Sequence, residues 1–209
     1  MVRSFLASLS DVGAAVNSLA NQQWLTAPGS KKVLVALAGK GATPRFVGGC
    51  VRDGLLGNPS TDLDIAVDQV PDDNMRLLRS AGVQVVPTGL KHGTITAICH
   101  DQPFEITTLR VDAESFGRHA KVAFTADWVR DAARRDFTIN AIYLDADGVI
   151  FDPLGGQSDL QLGRLQFVGD AQQRVKEDAL RIIRYCRFLP RFEKVGADAE
   201  MFNLLRDNA

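Results

Sequence analysis

A chain of 209 residues, 45% of them hydrophobic, can fill a core of about one to one and a half ordinary domains, which excludes a disordered or fibrous protein. Its net charge of -1 excludes a global attraction to nucleic acid, so any phosphate contact must come from local clusters of Arg and Lys. Cys50, Cys99 and Cys186 are far apart and form no Cys-x-x-Cys pair, and Ser8, Ser10 and Asp11 interrupt the N-terminal apolar stretch. Disulfides, a zinc site and a membrane span of ~18 apolar residues are therefore not expected, and the cytoplasm is the expected location.

In chain order, residues 1–29 read as a lead-in ending in the turn-forming TAPGS, with Ser30 as the expected cap of a helix across KKVLVALAGKG. An apolar RFVGGC, a short helical VRDGLLG and the alternating TDLDIAV then give strand, glycine turn, helix, strand. After Pro71 a helix across DDNMRLLRSAG leads to VQVV. Next come two β-rich runs, HGTITAIC and FEITTLRV, which read as a hairpin closed at HDQP. Asp112 to Asp127 holds no clean period and reads as a long loop ordered on binding. From Ala126 onward helical patterns dominate, broken by DADG and DPLGG. The expected organisation is α+β followed by mostly helix: a lead-in over 1–29, a head domain over 30–152 and the start of a helical domain over 153–209.

The chemistry concentrates in a few places. Asp62 and Asp64 are two apart, and the period of a strand points both to one face while Leu63, Ile65 and Val67 take the other. Adjacent carboxylates repel, but they suit hard divalent cations such as Mg²⁺, which prefer oxygen ligands. Gly48 and Gly49 follow a strand and open a helix, where backbone N–H groups can hold a triphosphate. Arg52 adds a cation there. An isolated Gly-Gly is otherwise simply a tight turn. Glu105, between Phe104 and Ile106 in the second hairpin strand, either joins the metal shell or faces solvent. DAARRDFTINAIYL is expected to place Arg134, Arg135, Asp136 and Asn140 at a helix start, mixing cations for phosphate with partners for ribose hydroxyls. The pattern VKEDALRIIRYCRFL reads as one helix with Val175, Leu180, Ile183 and Phe188 as its core stripe. Asp178 and Arg181 would then share one helix face, as an ordinary ion pair or as an acceptor and a donor fork for a base edge.

Taken in order, FVGGCVRDGLLG, DLDIAVD, HGTITA, FEITTLRVD, RRDFTINAIYLD, DPLGGQSDL and EDALRIIRYCRF resemble the class II tRNA nucleotidyltransferases. The resemblance runs from about Arg45 to Arg191. It implies a polymerase-β-like head followed by a helical neck, with DPLGG as the hinge. It further implies that Asp62 and Asp64 hold catalytic Mg²⁺ and that Gly48, Gly49 and Arg52 hold the triphosphate. By the same resemblance Arg135, Asp136 and Asn140 contact ribose and phosphates, and Glu177, Asp178 and Arg181 read the base of CTP or ATP; Arg184 is expected among the nucleotide-binding residues. The activity implied is template-independent addition of CMP and AMP to the 3′ end of tRNA. From the sequence itself, no membrane and no obligate protein partner are expected.

Two departures stand out. The loop that in relatives reads Asp-Gly-Arg-His is here Phe116-Gly117-Arg118-His119, which makes the switch from C to A addition the less secure step. The chain also ends at Ala209, where family members continue through a helical body and tail. The competing readings are a bacterial poly(A) polymerase, which shares the head motifs, and a nucleotide-binding regulatory module without turnover.

Overall fold

The computed structural model describes Leu19, residues 22–114, 121–196 and 199–208. Among them the chain forms two compact units. One holds the described residues up to Thr108 together with Tyr143–Phe151; the other holds Leu109–Ile142 and the described residues from Asp152 onward. The chain thus passes between units at residues 108, 142 and 151 rather than at a single turn.

The first unit is built on a seven-stranded sheet. Its strands are β1 (Arg45–Val47), β2 (Leu63–Val67), β3 (Gln84–Gly89), β4 (Thr94–Cys99), β5 (Gln102–Thr108), β8 (Tyr143–Leu144) and β9 (Ile150–Phe151), in the order β3-β4-β5-β2-β1-β8-β9. Only β2 and β5 run parallel; every other neighbouring pair is antiparallel. The β4–β5 hairpin closes on His100 and Asp101, both at positive φ (51 and 61). That is the primed-turn geometry whose twist matches flanking strands.

One sheet face carries Leu63, Ile65, Ile95, Ala97, Phe104 and Ile106, all buried. Helices α2 (Pro28–Leu37) and α4 (Pro71–Ser80) pack on β4 and on each other, while α3 (Gly49–Leu55) packs on β1 and β2. Burial of each of these Leu, Ile and Phe side chains contributes about 2 kcal/mol.

The lead-in is already structured from α1 (Gln23–Thr26), whose Trp24 meets Phe46 edge-on with ring centroids 4.9 Å apart. Ser30 is not a cap. Pro28 starts α2, and the buried Ser30 hydroxyl donates to the Trp24 carbonyl. Proline fits the first helical position because no partner awaits its missing N–H there.

The second unit contains the antiparallel pair β6 (Arg110–Glu114) and β7 (Lys121–Phe124) and the helices α5 (Trp128–Ala133), α6 (Gly156–Leu162), α7 (Ala171–Glu177), α8 (Leu180–Phe192) and α9 (Ala199–Asp207). One expectation changes here: within the segment 112–127, residues 112–114 and 121–124 pair as an antiparallel ladder rather than forming a loop. Asp127 caps α5, its carboxylate accepting from the N–H groups of Val129 at 2.9 Å and Arg130 at 3.1 Å. The Phe116–His119 motif lies outside the described residues.

The core of this unit is aromatic. Phe137 sits 5.0 Å from Phe167 and 5.4 Å from Phe188, and Phe167 stacks on Tyr185 at 5.4 Å. Leu180 and Ile183, expected in that core, are 63% and 66% exposed instead. The helix register changes because the pattern from Val175 to Leu189 is two helices, broken at Asp178 (φ -154, ψ 105). The second helix consequently presents Tyr185, Phe188 and Phe192 inward.

Candidate functional site

In the first unit β1 delivers the chain to Gly48, at φ 74 and ψ -126. This conformation is open only to glycine, and it lets Gly49 begin α3, whose first-turn N–H groups have no partner within the helix. An ideal Cβ on Gly49 would lie 3.8 Å from the Nη2 of Arg52, so the guanidinium rests beside the turn. Arg52 is buried and its Nε donates to the Asp53 carboxylate at 2.9 Å.

The carboxylates lie on the sheet face opposite the helices. Asp64 pairs in parallel register with Glu105, and Glu105 pairs with Thr96 on its other side, giving a polar row across β4, β5 and β2. Asp62 lies just ahead of β2, exposed, on the same side by the two-residue period. Its loop is held by Gln102, whose side-chain amide donates to the Thr61 carbonyl at 2.9 Å, and by Ser60, whose hydroxyl donates to the Asp62 carbonyl at 3.2 Å. Two carboxylates about 5 Å apart on neighbouring strands repel by about 1 kcal/mol in water. Burial of Leu63 and Ile65 behind them outweighs that, so the strand tolerates a concentration of negative charge that a cation would relieve.

Among the described residues no three His, Cys, Asp or Glu side chains come together as a complete metal cage. The donor set is of another kind: oxygen carboxylates at an open strand face. This suits an ion that takes one or two protein carboxylates and completes its octahedron with phosphate oxygens and water.

The second unit holds the remaining residues singled out in the sequence. Arg134, Arg135, Asp136 and Asn140 are not at a helix start. Arg134 is the C-cap of α5, and Asn140 ends a short 3₁₀ turn, Thr138–Asn140. The buried Asp131 gathers the two arginines: its Oδ1 accepts from Arg134 Nε at 2.8 Å and its Oδ2 from Arg135 Nη2 at 3.1 Å. The same carboxylate accepts the Arg110 N–H at 3.2 Å. Asp136 accepts from the Phe137 N–H at 2.8 Å, from Asn140 Nδ2 at 3.0 Å and from Arg184 Nε at 2.7 Å. Burial alone would raise the pKa of Asp136, but the Asn140 hydrogen bond and the Arg184 charge prevail and hold it below its ordinary value.

Asp178 and Arg181 do not share a helix face, because Asp178 is the extended residue between α7 and α8. It is exposed, and its Oδ1 accepts from the Leu180 N–H at 3.0 Å. Arg181 is turned toward Glu177 instead, donating through Nη1 to Oε2 at 2.8 Å and to the Arg174 carbonyl at 2.8 Å. Glu177 is likewise held below its ordinary pKa: burial opposes this, while the Arg181 hydrogen bond and the Arg174 charge outweigh it.

Gln102, Asp131 and Arg174 were not among the residues singled out. Asp131 was within reach, since its spacing of three and four from Arg134 and Arg135 is the helical ion-pair spacing. Gln102 and Arg174 act across long sequence separations and leave no local signal.

Residues 44–166 match the family model described as the poly A polymerase head domain, and the chain belongs to that family. The relatives it resembles within that family include CCA-adding enzymes. The chain is 47% identical over 168 residues to the human mitochondrial CCA tRNA nucleotidyltransferase 1, a match covering 79% of this chain and 39% of that protein. Its fold resembles that of the Bacillus stearothermophilus CCA-adding enzyme solved in complex with CTP (TM-score 0.69, 36% identity, 78% of this chain and 39% of that one). It also resembles a tRNA nucleotidyltransferase solved with a primer tRNA and an incoming ATP analog (TM-score 0.68, 28% identity, 84% and 49%). The mixed sheet flanked by helices is the polymerase-β-like nucleotidyltransferase head, continued by a helical segment. The chain spans about two fifths of the length of the curated relatives it matches. Among the described residues no helix is long and apolar enough to cross a membrane.

Proposed function

We propose that this chain carries the nucleotide-adding chemistry of CCA addition: transfer of CMP and AMP from CTP and ATP to the 3′ end of tRNA, without a nucleic-acid template. The observation that carries the reading is the carboxylate row of Asp64 and Glu105, with Asp62 ahead of it, in the same unit as the Gly48–Gly49 turn. The likeness to enzymes solved with CTP and with a primer tRNA and an ATP analog supports it.

Asp62 and Asp64 are the residues to hold Mg²⁺, which when bound neutralises the triphosphate and lowers the pKa of the attacking hydroxyl. The Gly48 turn offers α3 amides to the triphosphate, and Arg52 adds positive charge beside them. The 3′-hydroxyl oxygen of tRNA attacks the α-phosphorus in line. The bond from that phosphorus to the bridging oxygen breaks, pyrophosphate leaves and the hydroxyl proton is released. Glu105 adds a third carboxylate next to Asp64. In the second unit Arg135, Asp136 and Asn140 present donors and acceptors to ribose and phosphate, with Arg184 fixing Asp136. Asp178, exposed between two helices, accepts from the exocyclic amine of cytosine or adenine, and Arg181 donates to a ring acceptor. Uracil and guanine present the opposite polarity and leave a group unpaired.

The test combines Mg²⁺, each labelled nucleoside triphosphate and tRNA ending at its discriminator base, followed by sizing of the product. Addition that stops after C, C and A supports the proposal. Repeated adenylates indicate a poly(A) polymerase, the name under which the family model stands. Nucleotide binding with no extension on any RNA indicates a regulatory module.

A further inference from the structure

The least exposed guanidinium of the α7–α8 region belongs to a residue that the proposed reaction does not use. Arg174 lies on α7 and is nine-tenths buried. Its Nη2 donates to the carbonyl oxygens of Arg134 at 2.5 Å and Arg135 at 2.6 Å, some 40 positions back in the sequence. Its Nη1 donates to Glu177 Oε2 at 2.7 Å, the same oxygen that holds Arg181. Its own carbonyl accepts from Arg181 Nη1 at 2.8 Å. One rigid fork therefore ties two segments together: the Arg134–Asn140 turn on one side and the Glu177–Arg181 segment on the other. The Arg134–Arg135 pair at its start is clasped from two sides, since Asp131 holds the two guanidiniums while Arg174 holds the two carbonyls.

Stability alone is a poor reason for this arrangement. A buried ion pair is commonly replaceable by apolar side chains of similar volume at little or no cost. What a planar guanidinium supplies and an aliphatic chain does not is a fixed distance between acceptors on either side of it.

We propose that Arg174 is a positioning residue for nucleotide selection. It sets the base-reading Glu177–Arg181 segment at a fixed offset from the ribose- and phosphate-facing Arg134–Asn140 turn. The inference rests on the functional reading above. Without Arg174, Glu177 keeps Arg181 as a partner but the pair loses its direct bonds to the Arg134 and Arg135 carbonyls, and only Arg184, bonded to Asp136 farther along α8, still joins that helix to the turn by a charged contact. Base preference then falls while contacts to the triphosphate persist.

The test uses the 209-residue chain with Mg²⁺ and measures the affinities of CTP, ATP, UTP and GTP by calorimetry, with inorganic pyrophosphate as a base-free probe. It compares the unaltered protein with Arg174→Met and Arg174→Lys. Met removes the fork but keeps apolar volume; Lys keeps the charge but not the planar geometry. The expected result is a loss of about tenfold or more in the preference for CTP and ATP over UTP and GTP in both variants, with pyrophosphate affinity changed less than threefold. Equal weakening toward all four nucleotides and pyrophosphate would overturn the proposal, as would full retention of discrimination. Unfolding of both variants overturns it too, because Arg174 would then be a stability element. If the unaltered chain shows no nucleotide preference at all, the functional reading itself fails. If it discriminates and the variants discriminate equally, only the role of Arg174 fails.

Discussion

Gly156 approaches the carbonyl oxygen of Thr138 so closely that a methyl group on its α-carbon would overlap it. The contact docks the start of α6 on the 3₁₀ turn Thr138–Asn140, next to the bond from the Thr138 hydroxyl to Asp159 at 2.7 Å. The obstacle is backbone, so it has no rotamer to yield with. Gly156→Ala is expected to cost about 3 kcal/mol, a fall in melting temperature of roughly 6–12 °C for a chain of this size. Gly155, at φ 74 with open space around it, has only the left-handed backbone to lose, and Gly155→Ala is expected to cost about 1 kcal/mol. Calorimetric melting of the two variants checks the order.

Substitution at the carboxylate row separates function from folding. Asp64→Asn leaves Leu63 and Ile65 buried behind it and removes repulsion toward Glu105. The variant is expected to melt at or slightly above the unaltered temperature in metal-free buffer. Nucleotide addition should fall by about 10³-fold, equivalent to about 4 kcal/mol of lost transition-state stabilisation. Near-normal turnover in a folded Asp64→Asn protein would remove the carboxylates from the chemistry.

Asp136 makes stability depend on acid pH in a predictable direction. Its folded pKa lies below the ordinary value, so the deprotonated form is favoured by folding. The associated stability is fully present above the unfolded value of about 3.9 and is lost as pH falls through the lower folded value. Urea unfolding between pH 5 and 2 should show a steeper decline in the unaltered protein than in Asp136→Asn. The Asn variant should already be less stable at pH 7. Parallel declines would show that Asp136 gains nothing from Asn140 and Arg184.

The cysteines should differ sharply in reactivity. Burial pushes the Cys50 thiol up to about 12, leaving roughly one part in 10⁴ as thiolate at pH 8. Cys99 is also buried, whereas Cys186 is exposed. A disulfide reagent at pH 8 is expected to titrate one thiol promptly and the other two only on denaturation, with the prompt fraction absent in Cys186→Ser.

What the sequence made legible was local. The Asp62–Asp64 spacing, the glycine turn before α3 and the β4–β5 hairpin each lie within a few residues and obey the period of a single element. The pairing of Asp64 with Glu105 was not readable, because parallel strands are joined by a long connection whose register no local pattern encodes. The break between α7 and α8 was hidden for a different reason. Lys176-Glu177-Asp178-Ala179-Leu180 contains neither Gly nor Pro and reads as good helix. The interruption comes from Asp178, whose side chain takes the Leu180 N–H in place of a helical partner. That single competition rotates everything after it, which is why Leu180 and Ile183 face outward while Tyr185 and Phe188 join Phe137. The polar clasp around Arg134 and Arg135 depends on Arg174, and a side chain bonded to backbone carbonyls about 40 residues away leaves no trace in composition or spacing.

The lone parallel pairing in the sheet also sets an order of assembly. The β4–β5 hairpin can close on its two-residue turn within microseconds. The β2–β5 ladder must instead bring together residues about 40 positions apart, after paying the entropy of closing that loop. Glu105 therefore gains Asp64 as its neighbour only once the slowest strand has docked. A partly folded chain with helices and a hairpin has Asp62 and Asp64 on one segment but lacks Glu105 beside them, so the three-carboxylate arrangement exists only once the scaffold is complete.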